Sequence, residues 1–334
     1  MRRKRPTRRD VAALAHVSVA TVSYVVNDGP RPVSPGTRDR VIAAIQQLGY
    51  RPHAIARSLR MGNTQTIGLL VQSLLTSYVG LLVNAVEDNL ASRGYGLILA
   101  SSHEDRERED NLLDLLSAQS IDGLIYIPIS CHDGTHVTRF LNEGVPVVFM
   151  DRYIPGIPAD VVMTDNVAAA RKAANYLIES GCRRTLCISY SDEASSALDR
   201  VEGFRQAHRE HDLLVDDRNI LVVRYAAGEK VEPALLAYIY AHSLPDGILC
   251  LSDESLVGSI KALKQRGIRV PEQVRVTGGF SDLPWNSLLE PPMPTVRQDF
   301  QRVAQMAVEF LIARIQGDKS PHRTALIPAE FPYF

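Results

Sequence analysis

Two rhythms divide the chain. Up to about residue 50, apolar residues recur every three or four positions in short runs separated by turn residues. Val11, Leu14 and Ala15 give one apolar face to a helix of about two turns that ends near His16. Thr7 and Asp10 open it at the spacing of a capping box, in which each side chain satisfies an otherwise unpaired amide. Ser18 then caps a second helix, VATVSYVVN, with Val22, Val25 and Val26 facing inward and Val19, Ala20, Ser23 and Tyr24 outward. Asp28-Gly29-Pro30 interrupts the chain, and Ser34-Pro35 starts a third helix that runs to Gly49 as its stop. Two short helices joined by a tight turn and buttressed by a third form a helix-turn-helix pattern, whose second helix enters the major groove of DNA. An ordinary three-helix bundle with a solvated basic surface is the alternative.

Past residue 64 the rhythm changes. Apolar runs (TIGLLV, YGLILAS, DGLIYIP, VPVVFMD) alternate with helical patterns, and a second set follows from VAAARKAANYLIESG through RTLCIS, NILVVR, DGILCLS and VRVTGGF. Strands alternating with helices predict βαβ units and mostly parallel sheets covered on both faces. Two such sets predict two lobes, with ligands bound where loops leave the carboxyl ends of the strands. The fold class expected is an all-α helix-turn-helix headpiece over residues 1–62 followed by a two-lobed α/β core over residues 63–334.

Composition changes this picture little: of 334 residues, 45% are hydrophobic and 22% charged, the balance of a soluble globular chain. Charge changes it more. Residues 1–60 hold twelve Lys/Arg against three Asp, a charge of +9, and the remainder carries 25 basic against 35 acidic residues, or -10. A basic module on an acidic body suggests a polyanion partner at the amino-terminal end. Thr66 to Val86 is uncharged over 21 positions, but Gln72, Ser73, Thr76, Ser77 and Asn84 within it favour a strand followed by a helix from about Tyr78 over a membrane span. The basic start is followed by no cleavage motif, so no signal peptide is expected and the location expected is the cytoplasm. Cys131, Cys182, Cys187 and Cys250 form no CxxC pair, which suits a reducing compartment.

The stretches RRDVAALAHVSVATVSYVVN and VSPGTRDRVIAAIQQLGYRPHAIARSL closely resemble the DNA-binding headpiece of the lactose repressor (LacI/GalR) family of bacterial transcription regulators. The words VSVATVS, LGYRP and AIARSL carry the match, which extends at lower identity through the rest of the chain. The resemblance implies that Val19, Ala20 and Tyr24 read bases in the major groove. Most members have Arg where Tyr24 stands, and a hydroxyl and ring in place of a bidentate fork imply a different base preference there. It also implies that Thr7, Ser18, Thr21, Ser23 and Asn27 lie at the DNA, Thr21 and Ser23 near phosphates. The stretch from His53 through Ala56 to Leu59 resembles the family's hinge helix, with Leu59 as a wedge into the minor groove of a palindrome bound by a dimer. His53 stands where the family usually has Asn, and a plain linker is the alternative reading of HAIARSLR.

The words VFMDR, TDN, RVEGF, IRVPEQVRV and PTVRQD resemble the family's effector core, of the periplasmic-binding-protein type I fold. The resemblance places Tyr78, Asp151 and Arg200 in the cleft, together with Ser252, Asp253 and Ser281. A cleft Arg can fork onto sugar hydroxyls or a carboxylate; as an alternative, Arg200 is a surface residue paired with Glu202. Ser252 and Ser281 replace an amide and a carboxylate common in the family, which shortens reach, removes negative charge, and favours a larger or anionic ligand over a standard hexose. The family's tetramer-forming tail has no counterpart in this sequence, so a dimer is expected.

No GxSxG, HExxH, P-loop or GxGxxG pattern occurs, so neither catalysis nor a cofactor is expected. In Cys131-His132-Asp133-Gly134-Thr135-His136 the two histidines would stand one helical turn apart as metal ligands, or the segment is a polar loop. The resulting expectation is a dimeric regulator, a repressor of transcription, that binds double-stranded operator DNA under control of a carbohydrate or related metabolite. A small-molecule binding protein without a DNA role is the alternative.

Overall fold

The computed structural model describes residues 6–26, 31–50, 63–281 and 292–332. They divide into two compact units, Met1–Thr64 and Gln65–Phe334.

The first unit contains α1 (Arg8–Ala15), α2 (Val19–Val26) and α3 (Pro35–Leu48). Its core is Val11, Ala12, Ala15, Val22, Val25, Val41, Ala44 and Tyr50. Leu14, expected inside, is 39% exposed, and Ala12 takes its place. A three-to-four spacing fits either choice, and the short Ala12 side chain lets α1 approach its neighbours. The Gly49 cap adopts φ 59°, a left-handed conformation that glycine takes without strain, and it ends α3 where expected.

The second unit holds two parallel sheets. In the first lobe β1 (Thr66–Val71), β2 (Gly96–Ser101), β3 (Gly123–Tyr126), β4 (Val147–Met150), β5 (Asp160–Thr164) and β10 (Thr324–Ile327) lie in the order β10-β5-β4-β3-β1-β2. In the second lobe β6 (Thr185–Ser189), β7 (Ile220–Val222), β8 (Gly247–Cys250) and β9 (Arg275–Gly278) lie in the order β7-β6-β8-β9. Helices cover both faces of each sheet. The first lobe has α4 (Ser77–Ala91), α5 (Arg106–Ala118), α6 (Thr135–Asn142) and α11 (Phe300–Ile315); the second has α7 (Asn166–Glu179), α8 (Ser195–Glu210), α9 (Val231–His242) and α10 (Asp253–Gln265). Burial on both sides is why β1 reads TIGLLV, buried from Ile67 to Val71. The β1-to-α4 stretch is thus a strand and a helix, and no described helix is long and apolar enough to cross a membrane.

Among the described residues, four elements have no counterpart in the strand and helix pattern drawn from the sequence: β5, α6, α11 and β10. The last two return the chain to the first lobe, where Val303, Ala304, Ala307, Val308 and Leu311 of α11 complete the core under β1, β3 and β4. Because α6 begins at Thr135, His132 lies in the preceding loop and not one helical turn from His136. His136 Nε2 instead lies 3.3 Å from the Asp110 carboxylate.

Candidate functional site

Local capping shapes the headpiece face. Thr7 Oγ1 accepts from the Asp10 amide at 3.4 Å while Asp10 Oδ2 accepts from the Thr7 amide at 2.7 Å, which fixes the start of α1. Ser18 Oγ accepts from the Thr21 amide at 3.0 Å and lies 2.9 Å from Thr21 Oγ1, so these two hydroxyls first serve the start of α2. Val19 and Ala20 are exposed at that start, with Ser23 and Tyr24 half-buried on the next turn. Exposed Arg9, Arg31, Arg38 and Arg40 give the same unit its positive surface. Asn27, His53, Ala56 and Leu59 lie outside the described residues.

In the core, the loops leaving the strands converge on a chamber of about 540 Å³, solvent at its mouth included. Its walls contain Gln72 and Tyr78 after β1, Glu104 after β2, Asp151 and Arg152 after β4, Tyr190 after β6, Arg200 on α8, Tyr225 after β7, Ser252, Asp253 and Glu254 after β8, Phe280 after β9, and Gln298. Five residues singled out by sequence, Tyr78, Asp151, Arg200, Ser252 and Asp253, therefore share one chamber. Ser281 stands behind it, 4% exposed, donating its hydroxyl to Asp253. Gln72, Glu104, Arg152, Tyr190, Tyr225, Glu254, Phe280 and Gln298 were missed, yet nearly all immediately follow a strand, which is the signal that would have found them.

Arg200 reaches the chamber because Gly203, one turn later, lets α8 lie against α7. A Cβ there would stand 2.3 Å from the Val167 carbonyl oxygen. Arg200 is 5% exposed; its Nε donates to Asn166 Oδ1 at 2.7 Å and Nη1 to the Leu251 carbonyl at 2.7 Å. A longer contact, 3.4 Å, joins Nη2 to Gln298 Oε1, and the guanidinium lies 3.7 Å from the Phe280 ring centroid. The surface pairing with Glu202 does not form; Glu202 instead accepts from Arg209 and Gln206. On the same wall Tyr225 and Ser252 hydroxyls lie 3.1 Å apart, Ser252 caps α10, and Asp253 Oδ1 accepts from the Phe280 amide at 3.0 Å.

The opposite wall is different. Gln72 Oε1, the Tyr78 hydroxyl, Asp151 Oδ1 and Arg152 Nε are buried without a hydrogen-bond partner. The Tyr78 hydroxyl faces Asp151 and Thr164. Asp151 adopts φ 65°, a left-handed conformation that Asp tolerates better than most residues. Burial raises the Asp151 pKa, opposed by Arg200 and Arg152, and burial likewise raises that of Tyr78. Arg152 Nη2 lies 3.8 Å from Glu104 Oε1, so the guanidinium is partly neutralised.

The chamber thus contains four carboxylates, Glu104, Asp151, Asp253 and Glu254, against two guanidiniums. Replacement by Ser252 and Ser281 was expected to lessen the cleft's negative charge; these four carboxyl groups remain in its lining. Among the described residues no group of three or more His, Cys, Asp or Glu is arranged to hold a metal ion.

A three-helix DNA-binding unit joined to a two-lobed α/β core with a chamber at the strand ends defines a class, the ligand-responsive transcription regulators. Residues 7–53 match the family described as bacterial regulatory proteins, lacI family, and residues 174–332 match a periplasmic binding protein-like domain. The chain is 31% identical to the HTH-type transcriptional repressor PurR of Aliivibrio fischeri, covering 95% of this chain and 94% of that one. It is 30% identical to the ribose operon repressor of Haemophilus influenzae over 96% and 95% of the two chains. Among solved structures it resembles a transcriptional regulator CelR-cellobiose complex, at 27% identity, TM-score 0.72 and coverage of 98% and 99%. The operator-bound lac repressor dimer shares the fold at 23% identity and TM-score 0.86, covering 99% and 98%. The chain belongs to the lacI family of bacterial regulatory proteins: it is a DNA-binding transcription regulator with an effector-binding core.

Proposed function

We propose that this protein is a cytoplasmic, non-catalytic, dimeric repressor that reads a palindromic operator through α2 and responds to a carbohydrate or carbohydrate-bearing metabolite in the core chamber. The headpiece, residues 1–62, would act as one functional module and residues 63–334 as the other. Val19, Ala20 and Tyr24 would meet base edges, while Thr7, Ser18, Thr21, Ser23 and Asn27 would position the helix on phosphates. Two copies of Leu59, one per protomer, would wedge the central base step from hinges that include His53 and Ala56. A relative named for ribose and a neighbour holding cellobiose support a sugar effector.

The observation that carries the effector reading is the set of unpaired polar atoms on one chamber wall, the acceptors Gln72 Oε1 and Asp151 Oδ1 and the Tyr78 hydroxyl. A buried acceptor without a donor costs about 1–3 kcal/mol, so a hydroxyl-rich ligand that supplies donors relieves that cost. A ligand alters operator affinity only through its different affinity for the two arrangements of the lobes, and operator alters ligand affinity by the same factor. The test is selection of fragmented source-genome DNA on the full-length protein. An enriched palindrome supports the reading; binding that is sequence-independent and merely falls with salt contradicts it.

A further inference from the structure

We infer that Asn166 is a positioning residue that couples the chamber to the crossovers between the lobes, by tying Arg200 to the first of them; this rests on the reading of the cleft as the effector site. Among the described residues the chain passes between the lobes three times. The first crossover is the single residue Asp165, between β5 of the first lobe and α7 of the second. The second runs from Thr295, which bridges to Gly278 of β9, to Asp299, which caps α11 in the first lobe. The third leaves β10 at Ile327 and enters the second-lobe core at Ala329.

Backbone bonds fasten the third crossover to each of the others. The Asp165 amide donates to the Ile327 carbonyl at 2.8 Å, and the amides of Arg297 and Glu330 donate to each other's carbonyls at 2.8 and 2.9 Å. The side of this triangle between the first and second crossovers is closed through Arg200. Its Nε donates at 2.7 Å to Oδ1 of Asn166, the residue after Asp165, and its Nη2 reaches Gln298 Oε1 at 3.4 Å. Arg200 itself stands on α8, with Nη1 anchored on the Leu251 carbonyl at 2.7 Å. One guanidinium therefore lines the chamber and holds two crossovers.

A guanidinium is planar, with five N–H donors in fixed directions, so an acceptor bound at one edge turns the edges held elsewhere. The three bonds above occupy three of those donors and leave two for a ligand. A turn of the group acts most on its short bond to Asn166, since the 3.4 Å contact to Gln298 is the weaker link. Asn166 is 1% exposed and lies outside the chamber lining, so a ligand reaches it through Arg200. Little slack follows: Asn166 opens α7, only Asp165 separates it from β5, and Gly203 brings α8 against the α7 backbone. Asn166 also uses only its acceptor, because Nδ2 is buried without a partner. A buried amide with one bond unmade is costly to the fold, and what it provides here is the tie to Arg200.

The test is fluorescence anisotropy of the enriched palindrome with full-length protein, with and without the small-molecule filtrate of the source cells. Native mass spectrometry reads in parallel which filtrate component each protein retains. Wild type is compared with Asn166→Leu, which keeps the shape and removes the acceptor, and with Asn166→Asp, which keeps the acceptor and gives up only the unpartnered nitrogen. Asp151→Asn is the control for the site itself. Asn166→Leu is expected to retain the same component as wild type while the change in operator affinity caused by the filtrate shrinks at least roughly fivefold, the low end of allosteric coupling, and Asn166→Asp to restore it. A wild-type response in Asn166→Leu, or a loss that Asn166→Asp does not restore, overturns this inference and leaves the cleft as the effector site. Loss of retention together with response in Asn166→Leu overturns it too, since Asn166 then serves binding alone. No retention or no response in wild type, or a full response in Asp151→Asn, overturns the effector-site reading and this inference with it. Should Asn166→Leu misfold, Asn166→Ser, too short to reach Arg200, decides in its place.

Discussion

The two walls of the chamber are built on opposite principles. The wall from the second lobe is largely held by its own groups: Arg200 is held by Asn166, the Leu251 carbonyl and Gln298, while Ser252 and Asp253 are engaged by Tyr225, Ser255, the Phe280 amide and Ser281, and behind it Asn166 Nδ2 is left unpaired. The wall from the first lobe keeps Gln72 Oε1, Asp151 Oδ1, the Tyr78 hydroxyl and Arg152 Nε unpaired. A satisfied network rigidifies and holds its shape without ligand, whereas unmet buried groups bear a cost that a ligand, a water or a rearrangement removes. On the proposed function, the second-lobe wall would act as a template and the first-lobe wall would recognise a bound molecule by directed bonds.

Substitutions on the two walls should accordingly fail in different ways. The largest expected effect is Arg200→Ala, which orphans three buried acceptors and should lower stability by about 3 kcal/mol, read as the shift in the urea midpoint. A midpoint within experimental scatter of wild type would show that the template wall does not depend on this guanidinium.

Next comes Glu109, a carboxyl on α5 behind the first-lobe wall that burial pushes up to about 7 despite the opposing Ile129 amide. Its value in the fold exceeds the ordinary one, so its contribution to stability is full below the ordinary carboxyl range and is lost as pH rises through about 7. Glu109→Gln should therefore gain about 1–3 kcal/mol on wild type between pH 5 and pH 8.5, and parallel pH-stability curves for the two proteins would refute the assignment.

Asp151→Asn should be smaller still in stability, within about 1 kcal/mol, because it removes a desolvated charge while keeping the shape. Its effect should appear in the metabolite response of operator binding. A response equal to wild type would place recognition on the other wall. Least costly to the fold is Tyr24→Ala on the half-exposed face of α2, expected to change stability by at most about 0.5 kcal/mol while altering base preference at one operator step, as read by binding-site selection.

How much of this was readable in the residues differs between the two regions. In the headpiece, caps and periodicity are local, and Thr7, Asp10, Ser18, Pro35 and Gly49 take the places their spacing predicts; only the choice between Leu14 and Ala12 depended on neighbouring helices. In the core, β1 to β4 and β6 to β9 stand out as apolar runs, while β5 follows a proline-rich loop and α11 and β10 belong to a lobe the chain had already left. The chamber was half legible. Tyr78, Asp151, Arg200, Ser252 and Asp253 came from family words, but the partners that decide what each does, Asn166 for Arg200 and Ser281 for Asp253, lie 34 and 28 residues away. No local pattern reports pairing over such distances, nor which polar atoms are left unpaired.

The account's central claim is that occupancy of the first-lobe wall is transmitted to operator affinity. The most direct test is fluorescence anisotropy of the selected palindrome titrated with full-length protein, with and without the small-molecule filtrate of source cells, for wild type and Asp151→Asn at one fixed salt concentration. The account predicts that the filtrate shifts wild-type operator affinity roughly 5–150-fold, the usual range of allosteric coupling, and leaves the variant unchanged. Equal shifts in both proteins, or none in wild type, would contradict it.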